Sequence, residues 1–105
     1  MKGAINHTVE LILPVDFDAR GEYEAEQRGL LDYAKVRVVD GTIYSVCFFT
    51  PSRIAVELSL IRQAGEACFA IPGLIVISLI TRSEMEGAVK YLASTGYFER
   101  MLPDP

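Results

Sequence analysis

"AKVRVVDGTIYSVCFFT", residues 34–50, is the stretch whose reading decides the fold. Two runs rich in β-branched and aromatic residues flank Asp40-Gly41. Asp-Gly readily adopts the positive φ angles of a type I′ turn, so the stretch reads as a β-hairpin. A two-residue turn pairs Val39 with Thr42, then Val38 with Ile43, Arg37 with Tyr44 and Val36 with Ser45. One face then carries Val36, Val38, Ile43, Ser45, Cys47 and Phe49. The opposite face carries Lys35, Arg37, Val39, Tyr44, Val46 and Phe48. The second strand is apolar on both sides, so both sides need a cover.

Upstream, "HTVELILPV" (7–15) alternates apolar and polar residues and reads as a half-buried strand. Pro14 lacks an N–H and places it at a sheet edge or at a strand end. Residues 16–33, "DFDARGEYEAEQRGLLDY", are the most polar stretch. They read as a short surface helix over 20–32, with a loop as the alternative.

Downstream, Thr50 suits an N-cap and Pro51 the first helical position, where its missing N–H costs nothing. The spacing predicts a helix over 51–64 with Ile54, Leu58 and Ile61 on a buried stripe, widened by Val56 and Leu60. "LIVISLI" (74–80) is apolar without alternation, which suits a strand covered on both faces. Thr81 and Glu84 form a capping box for a last helix over 82–95, whose buried stripe is Met85, Ala88, Val89 and Leu92. Tyr97 and Phe98 follow in a tail that folds back on the core.

The element order β, α, β, β, α, β, α matches a split βαβ, or ferredoxin-like, pattern with an additional C-terminal helix. The expectation is a single α+β domain over residues 1–105: an antiparallel four-stranded sheet with its helices on one face. The other face is left bare. On the register above it carries Glu10, Arg37, Tyr44, Val46 and Phe48, which are the candidates for a ligand site or an interface. Chemically, Glu10 is a base, Arg37 an anion clamp and Tyr44 a donor; the same residues also make ordinary cross-strand pairs.

Composition narrows the function classes. Of 105 residues, 50% are hydrophobic and 23% charged, with a net charge of −4, so the chain can form a core and is not disordered. The acidic balance opposes nucleic-acid binding and attraction to anionic membranes. The longest apolar run, 67–80, is shorter than the about 20 residues of a membrane span and contains Pro72-Gly73. "MKGAINHTVE" lacks a signal-peptide core, which points to a reduced, cytoplasmic setting. Cys47 and Cys68 belong to no CxxC or Cys/His cluster, so both read as free buried thiols and no metal site is expected. No cofactor motif is present.

Two smaller constellations complete the reading. Thr50, Ser52 and Arg53 sit at a helix N-terminus, where free N–H groups and a cation suit an anion, although capping alone accounts for them. His7, the only histidine, opens the first strand as an acid–base candidate or a solvated strand end. Together these features predict a small interaction or regulatory domain that dimerises through the bare face and takes a small effector. The alternative is a small enzyme of the dimeric α+β barrel type acting on an organic substrate.

Overall fold

The computed structural model describes residues 9–104. The elements run β1 (Val9–Ile12), α1 (Ala19–Arg28), β2 (Leu30–Val38), β3 (Ile43–Phe49), α2 (Pro51–Gln63), β4 (Leu74–Val76) and α3 (Arg82–Ser94), followed by a 3₁₀ turn at Tyr97–Arg100. The four strands form one sheet in the order β1-β2-β3-β4.

The α+β class holds, with a mixed sheet and three α-helices. The sheet departs from the all-antiparallel expectation. β1–β2 and β2–β3 are antiparallel, but β3–β4 is parallel. A parallel neighbour demands a long crossover, and residues 50–73 supply it. The sequential strand order fits a ferredoxin-like arrangement only loosely.

The hairpin is where expected, but its register is shifted by one. Gly41 N–H donates to Val38 O at 2.9 Å and Val38 N–H to Thr42 O at 3.0 Å. The connection is therefore the three-residue loop Val39-Asp40-Gly41, with Gly41 at φ +90°. Asp-Gly serves this turn-plus-bulge geometry as well as the two-residue turn. Asp40 Oδ1 also accepts the Thr42 N–H at 2.9 Å, which favours the longer loop.

A one-residue slip turns a strand's faces over. Val36 pairs with Tyr44, Ala34 with Val46 and, beyond a bulge, Leu31 with Phe48. Tyr44, Val46 and Phe48 therefore share the face of Val36, Val38, Val9 and Leu11, not that of Glu10 and Arg37.

That shared face is the core. Tyr44, Val46 and Phe48 are buried there with Phe17, Ala25, Ile80, Met85, Val89 and Phe98. The α3 stripe packs as its spacing predicts, with Met85 and Val89 fully buried and Ala88 and Leu92 at its margin. Phe98 folds back so that its ring centroid lies 5.5 Å from that of Tyr44. The polar stretch before β2 is helical: Asp18 caps α1 by accepting the Gly21 N–H at 2.9 Å. Glu22 then ties α1 to α3 by accepting the Arg82 N–H at 2.6 Å.

The capping box is half made. Thr81 Oγ1 accepts the Glu84 N–H at 3.2 Å, but the Glu84 carboxylate accepts from the Ser78 hydroxyl at 3.4 Å. The run 74–80 forms a strand only over Leu74–Val76. Ile71-Pro72-Gly73-Leu74 makes a turn closed by Leu74 N–H to Ile71 O at 3.2 Å, with Gly73 at φ +76°.

Candidate functional site

The second sheet face carries Glu10, Ile12, Lys35, Arg37, Ile43, Ser45, Cys47, Phe49 and Val76. Its β1–β2 half is polar and closed by ion pairs. Arg37 donates to Glu10 at 2.6 Å. Lys35 pairs with Asp104, whose other carboxylate oxygen accepts the Ser45 hydroxyl at 2.7 Å. The Asp104 N–H donates to Ile43 O at 2.8 Å, on the stretch of β3 beyond the reach of β4. The hydrogen bond to Lys35 comes first, with Ser45 second, in holding the Asp104 carboxyl below its usual range. The bond to Asp104 raises Lys35 in turn. The β3–β4 half is apolar, and Phe69 covers part of it, its ring 5.4 Å from that of Phe49.

The five residues expected together on a bare face are thus divided. Glu10 and Arg37 face outward as an ion pair. Tyr44, Val46 and Phe48 are core residues, so no partner reaches them as a flat surface. At the helix start, Thr50 Oγ1 accepts the Arg53 N–H and donates to Gly29 O, both at 3.3 Å. The Arg53 guanidinium is engaged by Glu57 at 2.8 Å. Ser52 is exposed, but the cap and the cation beside it are already used within the chain. His7 lies outside the described residues. Cys47 is buried, where desolvation raises its thiol pKa; Cys68 is exposed, contrary to the expectation for its apolar context.

The sequence placed a buried stripe on α2, but no side chain of α2 is buried. Arg53, Ile54, Glu57 and Ile61 are half-buried along one line. At 100° per residue, Leu60, Ile61, Ile54 and Leu58 fall within about 160° of helix surface. Leu58 and Leu60 are the shoulders of that face and stay 45% and 51% exposed. Val56, Ile71, Val76 and Leu79 are exposed as well, so half-covered apolar residues collect along the crossover and the edge strand to which it leads. No other helix or strand among the described residues packs extensively on α2, and the structure is elongated: the radius of gyration is 14.9 Å and the extents 51 × 32 × 26 Å, against a radius of about 13 Å for a compact domain of 100 residues.

A separate cavity lies between the tip of the β2–β3 hairpin and the end of α3, lined by Tyr44, Phe98, Asp40 and Glu99 among others. Sequence reading singled out Tyr44 but not Asp40 or Glu99, which come together only through the packing of α3 on the sheet. Among the described residues no group of three or more His, Cys, Asp or Glu is placed to hold a metal ion. No helix among them is long and apolar enough to cross a membrane.

Comparison with protein-family models, with curated proteins and with solved structures found no match.

Proposed function

We propose that this chain is a self-associating interaction module, a homodimer built on the α2 arm and the neighbouring β4 edge. The observation that carries the reading is a well-capped, apolar 13-residue helix with no buried side chain. Isolated helices of this length are marginal in water and draw their stability from packing an apolar face. The chain itself packs only the centre line of that face.

The energetics match a second copy. Val56, Leu58, Leu60, Ile71, Val76 and Leu79 are each 37–52% exposed. Completing their burial in both copies recovers about half of ~1.5–3 kcal/mol per side chain, roughly 9–18 kcal/mol in all. Association costs about 4–15 kcal/mol, so the gain is of the same size as the cost it has to offset. Charge favours a like partner. Arg53 and Glu57 neutralise each other within α2, and Arg62 in the last turn lies at the margin of the apolar groups. A two-fold axis sets a patch against itself, and an apolar centre with its charge at the margin suits that pairing.

The test is light scattering coupled to size exclusion, with Leu58→Gln and Leu60→Gln combined in one variant. Glutamine keeps helix propensity, so far-UV circular dichroism should not change. Wild type should run as a dimer at tens of micromolar and the variant as a folded monomer. A wild type that stays monomeric at high micromolar concentration overturns the proposal.

A further inference from the structure

We propose that the C-terminal tail is an autoinhibitory clasp: it occupies a docking site on the β3 edge for an extended segment of another protein that carries a carboxylate, and such a segment binds by displacing it. The site does not use α2, so it stands or falls apart from self-association.

β4 leaves one end of β3 uncovered. It pairs with β3 only from Cys47 to Phe49. Ile43 and Ser45 lie before that stretch, and an open strand edge is a template for an incoming chain. The tail closes it. Phe98 packs on Tyr44 on the core face, with the ring centroids 5.5 Å apart. Met101 then turns extended, at φ −95° and ψ 157°. Asp104 reaches the second face, where it meets Lys35 and Ser45. The tail thus passes round the sheet edge from one face to the other.

The receiving groups belong to the sheet. Lys35 and Ser45 are register partners on β2 and β3, and the Lys35 ammonium lies 5.7 Å from the centre of the Tyr33 ring. The Ser45 hydroxyl donates to one Asp104 carboxylate oxygen at 2.7 Å, and Lys35 holds the other. Ile43 O accepts the Asp104 N–H at 2.8 Å. A main-chain bond to a sheet edge, joined to capture of one side chain, is how extended peptides add to sheets. The contact defines the chemistry that the site admits: extended backbone bearing a carboxylate.

The tail is a poor occupant of it. Leu102 is 91% exposed and Pro103 is exposed as well, so apolar burial does not hold residues 102–103. Pro103 and Pro105 have no N–H, so of the last three residues only Asp104 can donate to the edge. Ordering the tail costs conformational entropy. The ion pair that offsets this cost keeps its side chains 31% and 23% exposed, and water weakens such pairs. A segment without proline on either side of its carboxylate brings further main-chain donors and displaces the tail.

The experiment is an NMR titration of the ¹⁵N-labelled full chain, as wild type and as Asp104→Lys, with the peptide acetyl-Val-Thr-Asp-Thr-Val-amide at low ionic strength and neutral pH. Asp104→Lys sets like charges together and frees the site. A tail that docks on a short tether implies a dissociation constant in trans no weaker than its effective concentration, about millimolar. The peptide should therefore saturate Asp104→Lys in that range, shifting the amides of Lys35, Ile43, Tyr44 and Ser45. Wild type should bind several-fold more weakly, because its own tail lowers the fraction of open sites. Asp104→Ser, which removes the charge without reversing it, should fall between the two, and it carries the same comparison if Asp104→Lys does not fold. The asparagine counterpart of the peptide should bind about tenfold more weakly, the lower end for a hydrogen bond to a charged group. Equal affinity of wild type and the released variant, equal affinity of the two peptides, shifts mapping elsewhere, or no saturation of the released variant would each overturn the assignment.

Discussion

Gly73→Ala is the substitution most damaging for its size, and the structure says by how much. Gly73 sits at φ +76°, and a β-carbon built there falls 2.4 Å from Ser45 O and 3.2 Å from Val46 Cα. Both are backbone atoms of β3, so no side chain can swing aside. Gly41 is the control: its φ is +90°, and an added β-carbon meets nothing within 4 Å. Gly41→Ala therefore carries only the left-handed penalty of about 1–2 kcal/mol, reduced by about 0.4–1 kcal/mol through the stiffer unfolded chain. Gly73→Ala carries the same net cost, about 1 kcal/mol, and about 1–3 kcal/mol of overpacking besides. Separating the strands also weakens the bonds Cys47 N–H to Gly73 O and Ile77 N–H to Phe49 O, each 3.0 Å; each is worth about 1 kcal/mol. The expected losses are about 1 kcal/mol for Gly41→Ala and about 3–5 kcal/mol for Gly73→Ala, the latter a large share of a domain's ~5–15 kcal/mol. Urea melts followed by far-UV circular dichroism, at one fixed protein concentration, give both values. If Gly73→Ala loses no more than Gly41→Ala, the close approach of the turn to β3 is refuted.

Two further outcomes follow from the titratable groups. Asp104 has a depressed carboxyl pKa in the folded chain, so its contribution is present above the ordinary carboxylate range and disappears as pH falls through the folded value. Asp104→Asn should therefore be less stable than wild type at neutral pH, and the gap should close in acid; a gap independent of pH would refute the Lys35–Asp104–Ser45 link. Cys68 is exposed and Cys47 buried with a raised thiol pKa, so Ellman's reagent should modify one thiol in the folded protein and the second only on unfolding; rapid reaction of both would contradict the burial of β3.

Local chemistry was legible where a few neighbouring residues decide the outcome. Thr50-Pro51 and Thr81 mark their helix starts, Asp40-Gly41 marks the hairpin, and Met85 and Val89 mark the buried line of α3. The register was not legible, because β3 is apolar on both faces and its pattern cannot choose between a two-residue and a three-residue loop. That single ambiguity exchanged Tyr44, Val46 and Phe48 with Ile43, Cys47 and Phe49. The parallel pairing of β4 was hidden for another reason: the run 74–80 shows no alternation, so nothing in it encodes a direction. The α2 stripe was correctly periodic, but periodicity shows only that a helix has an apolar face and not that the same chain covers it. The cavity was least visible, since Asp40 is excused by its turn and Glu99 by its tail, and only long-range packing joins them.

The crossover between β3 and β4 leaves and rejoins the sheet at neighbouring points, with Cys47 opposite Leu74 and Phe49 opposite Val76. An excursion anchored this way is nearly decoupled from the core it departs from. Halving or doubling its length changes the entropy of ring closure by only about 0.6 kcal/mol. The middle of the crossover, between Thr50 at its start and the Phe69 and Gly73 contacts at its end, can thus be exchanged, trimmed or elaborated while β1, β2, β3, α1 and α3 keep their packing. The surface offered to a partner can then change over evolutionary time at little cost to the fold.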